Sequence, residues 1–323
     1  MYQARVIYVG QSPAVMEWLC HQPRLALVGA FCPPSSASHG ELLSCALHYE
    51  VPLTWASSSA EIEGRLPPGL DLALCAFFER ISPSLLKAPR LGWLNLHPAP
   101  LPERPGRLPT VEGVLEGDLY WGATLHWMTE GLDEGPIIEV RRAPRAWLDG
   151  PIELERRALQ LGLQLLSERL DGILDGYAGS EPQAPRAPHR SPRHRPALEL
   201  NEGPLRAWRQ VKACEPFGGL PMRFDGSAAG EARLVMVKSA RLSRWGAPDE
   251  GWSLLRTWAE GGGTSLEARL EAAPWPDEGL SAAALERLIL EAWRLPEGGE
   301  LSALSRDEAA LFHFEAKREL REL

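Results

Sequence analysis

Two polar side chains close an apolar run in the first half of the chain, in the segment GWLNLHPAPLP. If residues 93–96 form a β-strand, Asn95 and His97 lie on the same face, because side chains alternate along a strand. Asn95 could donate a hydrogen bond to a developing oxyanion, and His97 could donate when protonated or act as a general base when neutral. A structural interpretation competes: Asn95 would satisfy a turn, and His97 would be an ordinary half-buried histidine.

Asp133, in the segment EGLDEG, is a third candidate, although by itself it is typical of a turn between two strands. The signatures of phosphate-binding loops are missing from the sequence. After the first predicted strand the segment VGQSPAV carries a single glycine, Gly10, where a dinucleotide-binding fold has G-x-G-x-x-G, and no G-x-x-x-x-G-K-[ST] occurs. We therefore expect no nucleotide cofactor held by its pyrophosphate, and nothing in the pattern calls for a metal.

The elements that must position these residues follow from the spacing of apolar side chains. Short apolar runs alternate with amphipathic stretches, which predicts an α/β fold with a parallel sheet. A helix should begin at Ser12 and Pro13, a favourable N-cap and first-turn pair, and run toward Cys20. Further helices are predicted at residues 41–48 and 151–174, the latter with Leu159, Leu163 and Leu166 on its apolar stripe. The predicted strands are residues 6–9, 25–31, 51–55, 71–77, 93–96, 120–128 and 136–140.

The sequence also predicts where the domains divide. Residues 1–176 form the first domain, and the segment 177–196 is a Pro/Arg-rich linker because its prolines favour extended chain. Residues 197–323 form a second domain, with a helix at 205–214, short strands within 220–258 and two terminal helices at 281–293 and from 305 onward. The triple glycine at 261–263 is predicted to be a flexible loop.

Composition limits the class of protein. The chain has 323 residues, of which 44% are hydrophobic and 24% charged, as in globular proteins. Without an 18-residue apolar run or a signal-peptide pattern, we expect a soluble, cytoplasmic protein with no membrane contact. The five cysteines show no C-x-x-C pair and are predicted to be buried thiols. The net charge, counted as Lys and Arg less Asp and Glu, is 14 − 21 = −7 for residues 1–176. It is 4 − 1 = +3 for residues 177–196 and 16 − 21 = −5 for residues 197–323.

Together, these motifs resemble the N10-formyltetrahydrofolate-dependent formyltransferases, a family that includes methionyl-tRNA formyltransferase, glycinamide ribonucleotide formyltransferase and the sugar N-formyltransferases. The resemblance extends well over residues 3–176 and loosely over 197–245. Family members carry an asparagine, one residue, then histidine and a Leu-Pro loop, followed at a fixed distance by a Gly-Leu-Asp turn. Here these are Asn95, His97, Leu101-Pro102 and Gly131-Leu132-Asp133.

The resemblance implies a Rossmann-like, mostly parallel sheet in the catalytic domain, then a smaller β-rich, OB-like domain and C-terminal helices. It implies N10-formyltetrahydrofolate as formyl donor and an amine as acceptor. Asn95 would bond the formyl oxygen, His97 would stabilise the oxyanion and share in proton transfer, and Asp133 would orient His97 and help remove the amine proton, with burial raising its pKa. The folate pocket would map to Phe77, Phe78, Arg80 and Ile81 and to Thr129, Glu130, Gly131, Leu132 and Gly135, although Phe77 and Ile81 could equally belong to the core.

The sequence does not determine which amine accepts the formyl group. The acidic second domain opposes phosphate contacts, and the segment after the second strand lacks the basic insertion of methionyl-tRNA formyltransferases. We therefore favour a small amine such as an amino sugar or an amino-acid-like metabolite, with Arg104 and Arg107 holding its phosphate or carboxylate, although both could be solvated loop arginines. A methionyl-tRNA formyltransferase and a formyltetrahydrofolate hydrolase are the alternatives, and the oligomeric state is undetermined.

Overall fold

Strands and helices alternate through the first part of the chain. The computed structural model describes residues 3–34, 36–76, 81–146, 149–176, 183, 204–217, 219–225, 232–244, 253–258, 264–272 and 300–303. The strands up to residue 176 are β1 (Ala4–Gly10), β2 (Leu25–Cys32), β3 (Leu53–Trp55), β4 (Leu72–Ala76), β5 (Trp93–His97), β6 (Tyr120–Trp127) and β7 (Ile137–Pro144). The helices are α1 (Pro13–Cys20), α2 (His39–His48), α3 (Ser59–Glu63), α4 (Pro83–Leu86), α5 (Pro109–Glu116) and α6 (Pro151–Leu174).

These strands form one seven-stranded sheet in the order β3-β2-β1-β4-β5-β6-β7. The pairs from β3 through to β5 are all parallel, whereas β6 runs antiparallel to β5 and β7 antiparallel to β6. The predicted mostly parallel α/β sheet is therefore confirmed. The strand order reverses beside β1, and in such sheets ligands bind beyond the carboxyl ends of the strands.

Local sequence explains how this sheet is held. The Ser12 hydroxyl accepts a hydrogen bond from the Val15 N–H at the start of α1, with Pro13 at the first helical position, as predicted. All five residues of β4 are buried, which is typical of a central parallel strand covered on both faces. Ile7 and Trp93, from β1 and β5, belong to one buried cluster, so the core extends continuously under the strands that end at the candidate site.

Helix α6 begins and ends at the predicted residues, and its buried face matches the predicted stripe in part, at Leu166 and Leu170. Leu154, Ala158 and Leu165 are buried, whereas Leu159 and Leu163 are only half-buried. Gly162 explains part of the difference, because a Cβ there would overlap the Leu96 side chain of β5. The missing side chain lets α6 approach the sheet closely at Gly162, and Ala158 and Leu165, on the same side of the helix, are buried.

Strand β7 continues beyond its predicted end at residue 140, to Pro144. Among the described strands, β7 pairs only with β6 and lies at the edge of the sheet. It therefore carries polar residues such as Arg141 and Arg142, which hide the apolar pattern of a strand. The short helices α3, α4 and α5 were also missed, because four to eight residues contain too little apolar periodicity.

The chain divides into two compact units, and the second combines residues 110–118, 147–152 and 190–323. Its described elements are α7 (Pro204–Cys214), a 3-10 turn (Glu215–Phe217) and the strands β8 (Leu220–Asp225), β9 (Ala232–Arg244), β10 (Ser253–Trp258), β11 (Thr264–Ala272) and β12 (Glu300–Ala303). These strands form an antiparallel sheet in the order β10-β11-β9-β8-β12, which agrees with the predicted β-rich domain. Trp208 of α7 is buried and donates to the Ala240 carbonyl of β9 at 3.1 Å.

Several predictions about this second region stay predictions. The OB-like topology, the boundaries at 176 and 196, and the loop at 261–263 are among them. The helices at 281–293 and beyond 305 lie outside the described residues, as does the linker except for Gln183. Arg206 of α7 donates to the Leu115 carbonyl of α5 at 3.3 Å, so residues near 115 join the second unit although they precede the predicted linker.

All five cysteines lie among the described residues, and no disulfide joins them. Cys32, Cys75 and Cys214 are buried, while Cys20 and Cys45 are half-buried, so the prediction of buried thiols holds for three of them. Burial raises the pKa of Cys32 to about 12 and that of Cys20 to about 11. None of the helices in the described ranges is long and apolar enough to cross a membrane.

Candidate active site

The three predicted catalytic side chains converge. Asn95 and His97 close β5, and their cross-strand partners on β6 are His126 and Thr124. This register puts the four side chains on one face of the sheet. The antiparallel pairing also puts the end of β6 beside the start of β5, and the chain leaves the sheet there. Asp133 lies six residues beyond the end of β6, and its Oδ1 is nevertheless 3.4 Å from Asn95 Nδ2. The β6–β7 turn therefore folds back over the face that carries Asn95.

Asn95 links the two sides of this cluster. Its Nδ2 is 3.0 Å from His126 Nε2 and donates to Asp133 Oδ1 at 3.4 Å. One amide nitrogen carries two hydrogens, so it can serve both acceptors when His126 Nε2 is unprotonated. The longer contact, to Asp133, lies beyond the usual range for N–H···O hydrogen bonds and is the weaker of the two.

The partners of His97 determine which of its ring nitrogens carries a proton. Nε2 lies 2.7 Å from the Arg104 carbonyl, and because a carbonyl can only accept, Nε2 is the donor. In the neutral ring, Nδ1 is then unprotonated, and it faces Asp133 Oδ1 at 3.7 Å, too far for a direct hydrogen bond. Burial lowers the pKa of His97 more than the Asp133 carboxylate and the Arg104 carbonyl raise it, which favours the neutral ring near pH 7.

Asp133 occupies an unusual backbone conformation, with φ of 55°, and its side chain is buried. Oδ2 accepts a hydrogen bond from the Gly106 N–H at 2.8 Å. Burial raises the pKa of this carboxyl, but His97, His126 and the Gly106 N–H together outweigh it and lower the pKa to about 2. The expectation of a raised pKa for Asp133 is therefore wrong, because the Coulombic effect of His97 when protonated and the Gly106 N–H donor favour the carboxylate.

His126 is a residue that the sequence analysis missed. Its Nδ1 lies 2.9 Å from the Trp127 carbonyl and must donate to it, which leaves Nε2 as the acceptor facing Asn95. Nε2 is also 3.6 Å from Asp133 Oδ1. A histidine inside a mostly buried strand resembles a core residue, and only the pairing of Asn95 with His126 would have revealed its place.

The loop after β5 is held around this cluster at several points. Thr124 is fully buried and its hydroxyl accepts from the Leu101 N–H at 2.9 Å and donates to the Ala99 carbonyl at 2.7 Å. Further along, both carboxylate oxygens of Glu103 accept from Arg142 of β7, at 2.8 and 2.9 Å. These contacts fix the loop so that the Arg104 carbonyl meets His97 and the Gly106 N–H meets Asp133.

The predicted acceptor-binding arginines both lie on this loop. Arg104 is half-buried and Arg107 is exposed. The contribution of Arg104 to the cluster comes from its backbone carbonyl, which orients His97. That its guanidinium and that of Arg107 bind the acceptor stays a prediction.

Among the residues predicted for the folate pocket, Phe77, Phe78 and Arg80 lie outside the described residues. Ile81 is buried in the core cluster with Phe31, Leu85 and Trp93, which agrees with the core interpretation left open for it. Leu132, in contrast, is 48% exposed beside Asp133 and presents an apolar surface.

The rest of the predicted pocket is the turn spanning residues 129–135. Thr129, Glu130 and Gly131 begin this turn and Gly135 ends it, and that these residues bind folate stays a prediction. A Cβ at Gly135 would overlap the Trp127 carbonyl, so the turn packs tightly against the end of β6. On the other side, Gln183 donates to the carbonyls of Asp133 at 2.8 Å and Gly135 at 3.0 Å.

Comparison with known proteins agrees with this arrangement. Residues 60–170 match the formyl transferase family. The methionyl-tRNA formyltransferase of Phenylobacterium zucineum is 33% identical over 185 residues, which cover 56% of this chain and 60% of that protein. The enzyme of the same name from Salinispora tropica is 34% identical over 157 residues, or 45% of this chain and 48% of that protein. The matched part thus spans less than two thirds of these relatives.

Solved structures share the fold over a larger part of the chain. A 4-N formyltransferase from Francisella tularensis superposes with a TM-score of 0.58 at 15% identity, covering 74% of this chain and 99% of that one. An N-formyltransferase from Helicobacter canadensis, in complex with folinic acid and dTDP-3-aminofucose, gives a TM-score of 0.58 at 15% identity, covering 84% of this chain and all of that one.

The order and direction of the strands define a Rossmann-like, mostly parallel sheet domain that carries the Asn-His-Asp cluster. Residues 60–170, which contain the whole cluster, are similar to the formyl transferase family.

Proposed function

We propose that this protein is an N-formyltransferase that moves the formyl group of N10-formyltetrahydrofolate to the amino group of a small acceptor. The observation that carries the proposal is the cluster of half-buried Asn95 with buried His97 and Asp133, in a segment similar to the formyl transferase family. A donor amide, an unprotonated imidazole nitrogen and a carboxylate are the groups that acyl transfer to an amine requires.

His97 is the proton acceptor in this proposal. Its Nδ1 lone pair is available, because Nε2–H is held by the Arg104 carbonyl. When the attacking amine loses its proton to Nδ1, the imidazolium faces the Asp133 carboxylate, whose charge stabilises it in a buried setting of low dielectric. Asp133 stays ionised throughout, since its pKa is about 2.

Asn95 is the donor to the oxygen that gains negative charge. Its short contact, with His126, orients the amide, and its second hydrogen makes only the long contact with Asp133. A substrate oxygen at hydrogen-bond distance would replace that long contact. Such preorganised donors in water-excluded sites typically contribute about 10²- to 10³-fold to the rate.

The formyl donor would bind along the turn at residues 129–135. N10-formyltetrahydrofolate supplies a formyl carbon on a nitrogen leaving group. The chain offers features that suit a flat heterocycle with polar edges: the exposed apolar side chain of Leu132 and a tightly held turn whose backbone groups can bond ring atoms.

The charge distribution supports a small acceptor rather than tRNA. Residues 197–323 carry 16 basic against 21 acidic side chains, and a net charge of −5 opposes a polyanion. The fold neighbour from Helicobacter canadensis was solved with dTDP-3-aminofucose, an amino sugar on a nucleotide carrier. Arg104 and Arg107 would bind the phosphate or carboxylate of such an acceptor.

Methionyl-tRNA is the second candidate acceptor. The relatives with over 30% identity are named methionyl-tRNA formyltransferases, and this observation favours tRNA although the matched length is partial.

The test is the release of tetrahydrofolate from N10-formyltetrahydrofolate, followed spectrophotometrically with separate acceptors: nucleotide-linked amino sugars, hydroxylated ornithine and methionyl initiator tRNA. Release of tetrahydrofolate that requires a small amine supports the main proposal. Release only with methionyl initiator tRNA supports the second candidate, a methionyl-tRNA formyltransferase. Release without any acceptor identifies a hydrolase. Absence of release under all conditions, with folded protein, contradicts formyl transfer to these acceptor classes. The Asp133→Asn variant, expected to retain a reduced but measurable rate, serves as the low-activity control.

A further inference from the structure

Gln183 contacts the Asp133 turn from the start of the predicted linker. Its side-chain Nε2 donates to the backbone carbonyls of Asp133 and Gly135, at 2.8 and 3.0 Å. It is half-buried and is the one residue between 177 and 203 that the structure describes. A single amide group thus bridges two carbonyls of the turn that carries the catalytic carboxylate.

The backbone conformation of Asp133 depends partly on such contacts. A φ of 55° places Asp133 in the left-handed region, which aspartate adopts more readily than most residues with a side chain but less readily than glycine. Surrounding contacts therefore help to hold this conformation. The Asp133 side chain is held by the Gly106 N–H, but the backbone carbonyl of the same residue is held by Gln183.

The opposite side of the turn is already fixed. The Trp127 N–H donates to the Pro136 carbonyl at 3.0 Å, and Gly135 packs against the Trp127 carbonyl. Because the Gly135 end of the turn is attached to β6, any movement of the turn would occur at Asp133. Gln183 restrains this part, since its two hydrogen bonds join the carbonyls of Asp133 and Gly135.

We propose that Gln183 is a positioning residue that holds the Asp133 turn so that the carboxylate faces His97. The kinetic consequence rests on the proposed formyl transfer, whereas the effect on the turn does not. Asp133 Oδ1 lies 3.7 Å from His97 Nδ1, and displacements of about 1 Å at such a pair cost rate. Because Gln183 lies in the predicted linker, this one linker residue contributes directly to the order of the Asp133 turn.

Three variants separate the donor from the bulk of the side chain. Gln183→Glu keeps the size but replaces the amide donor with a carboxylate facing two carbonyls. Gln183→Lys changes the shape but restores a donor of similar reach. Gln22→Glu is the matched control, because Gln22 also donates from its side chain to a backbone carbonyl, that of Trp18 at 2.9 Å, on helix α1.

The first measurement is hydrogen exchange by mass spectrometry on the full-length protein. Gln183→Glu should raise the exchange rates of peptides covering residues 129–135 about ten-fold, as expected for the loss of buried hydrogen bonds. Gln183→Lys should bring them back toward the wild-type rates, and Gln22→Glu should leave them unchanged. Wild-type exchange at 129–135 in Gln183→Glu would overturn the proposal, whether or not the enzyme transfers formyl groups.

The second measurement is kcat. We expect a fall of about ten-fold in Gln183→Glu, recovery in Gln183→Lys and no change in Gln22→Glu. In the Asp133→Asn background the same Gln183→Glu change should alter kcat less than about two-fold, because both substitutions act through one residue. If the loss of kcat in the double variant equalled the product of the losses in Gln183→Glu and Asp133→Asn, Gln183 would act independently of Asp133. That result would overturn the positioning role. If wild-type protein transfers no formyl group, the proposed function fails, and the exchange result alone decides the role of Gln183.

Discussion

His97 Nδ1 faces Asp133 Oδ1 at 3.7 Å, with both side chains buried. The other ring nitrogen donates to the Arg104 carbonyl, so the nitrogen that faces the carboxylate is unprotonated in the neutral ring. The pair therefore consists of a base and a fixed negative charge that stabilises the protonated base. Such an arrangement suits a step in which an amine loses a proton as it attacks.

Removing the imidazole tests this arrangement directly. We expect His97→Ala to lower kcat by about 10²- to 10³-fold, because it removes both the proton acceptor and a charge-stabilising group. Steady-state kinetics with saturating donor provides the measurement. His48→Ala, on the exposed end of α2, is the control and should retain wild-type activity. A nearly wild-type rate for His97→Ala would exclude the proposed role of this residue.

The dependence of kcat on pH should carry the signature of His97. Burial lowers the pKa of His97, so activity should persist below the ordinary histidine value of about 6.5 and fall as the ring protonates at lower pH. The Asp133 carboxylate raises the pKa of His97. Asp133→Asn should therefore move the acidic limb to lower pH while also reducing the maximal rate. An acidic limb that stays in place, or moves to higher pH, would argue against the coupling.

Stability in acid should reflect Asp133. The pKa of its carboxyl is lowered from 3.8 to about 2 in the folded protein. A lowered pKa means that the folded state favours the carboxylate, so this contribution is fully present above about pH 5 and is lost as the pH falls through about 2. We expect the stability difference between wild type and Asp133→Asn to shrink over that interval, as measured by urea unfolding. A constant difference across the interval would contradict the lowered pKa.

Thr124 should matter for stability. Thr124→Val keeps the shape but leaves the Leu101 N–H and the Ala99 carbonyl without their partner in a buried site. Each unsatisfied group costs about 1 to 3 kcal/mol, so the free energy of unfolding should fall by at least that amount. Thr54→Val, on the half-buried strand β3, provides the comparison and should change stability much less. Equal effects of the two substitutions would show that the loop contacts contribute nothing.

Gly135 should tolerate no side chain. A Cβ there would overlap the Trp127 carbonyl, so Gly135→Ala must displace the Asp133 turn and should reduce both kcat and the melting temperature. Gly40→Ala is the matched control, because space is open around Gly40 and the residue lies within α2. Alanine is about 1 kcal/mol more favourable than glycine inside a helix, so this control should be neutral or slightly stabilising. Wild-type activity in Gly135→Ala would mean that the turn is not held as described.

Much of the first domain could be predicted from the sequence. The parallel strands are buried apolar runs, and helix α1 begins at its predicted Ser-Pro pair. These features depend on side chains close together in the chain, which periodicity and capping rules describe. The edge strand β7 was predicted too short, because solvent on one side permits polar residues that hide the pattern.

The sequence by itself determined which residue types stand at the candidate site and in what order: Asn95, His97 and Asp133, on the motif that the family shares. The tertiary structure decided how they act. It brought His126 beside Asn95, set the protonated nitrogen of His97 through the Arg104 carbonyl, and lowered rather than raised the pKa of Asp133. It also placed Gln183 on the turn. Each of these depends on strand register, a turn that folds back, or a backbone group, and contacts between segments far apart in the chain leave no local pattern in its residues.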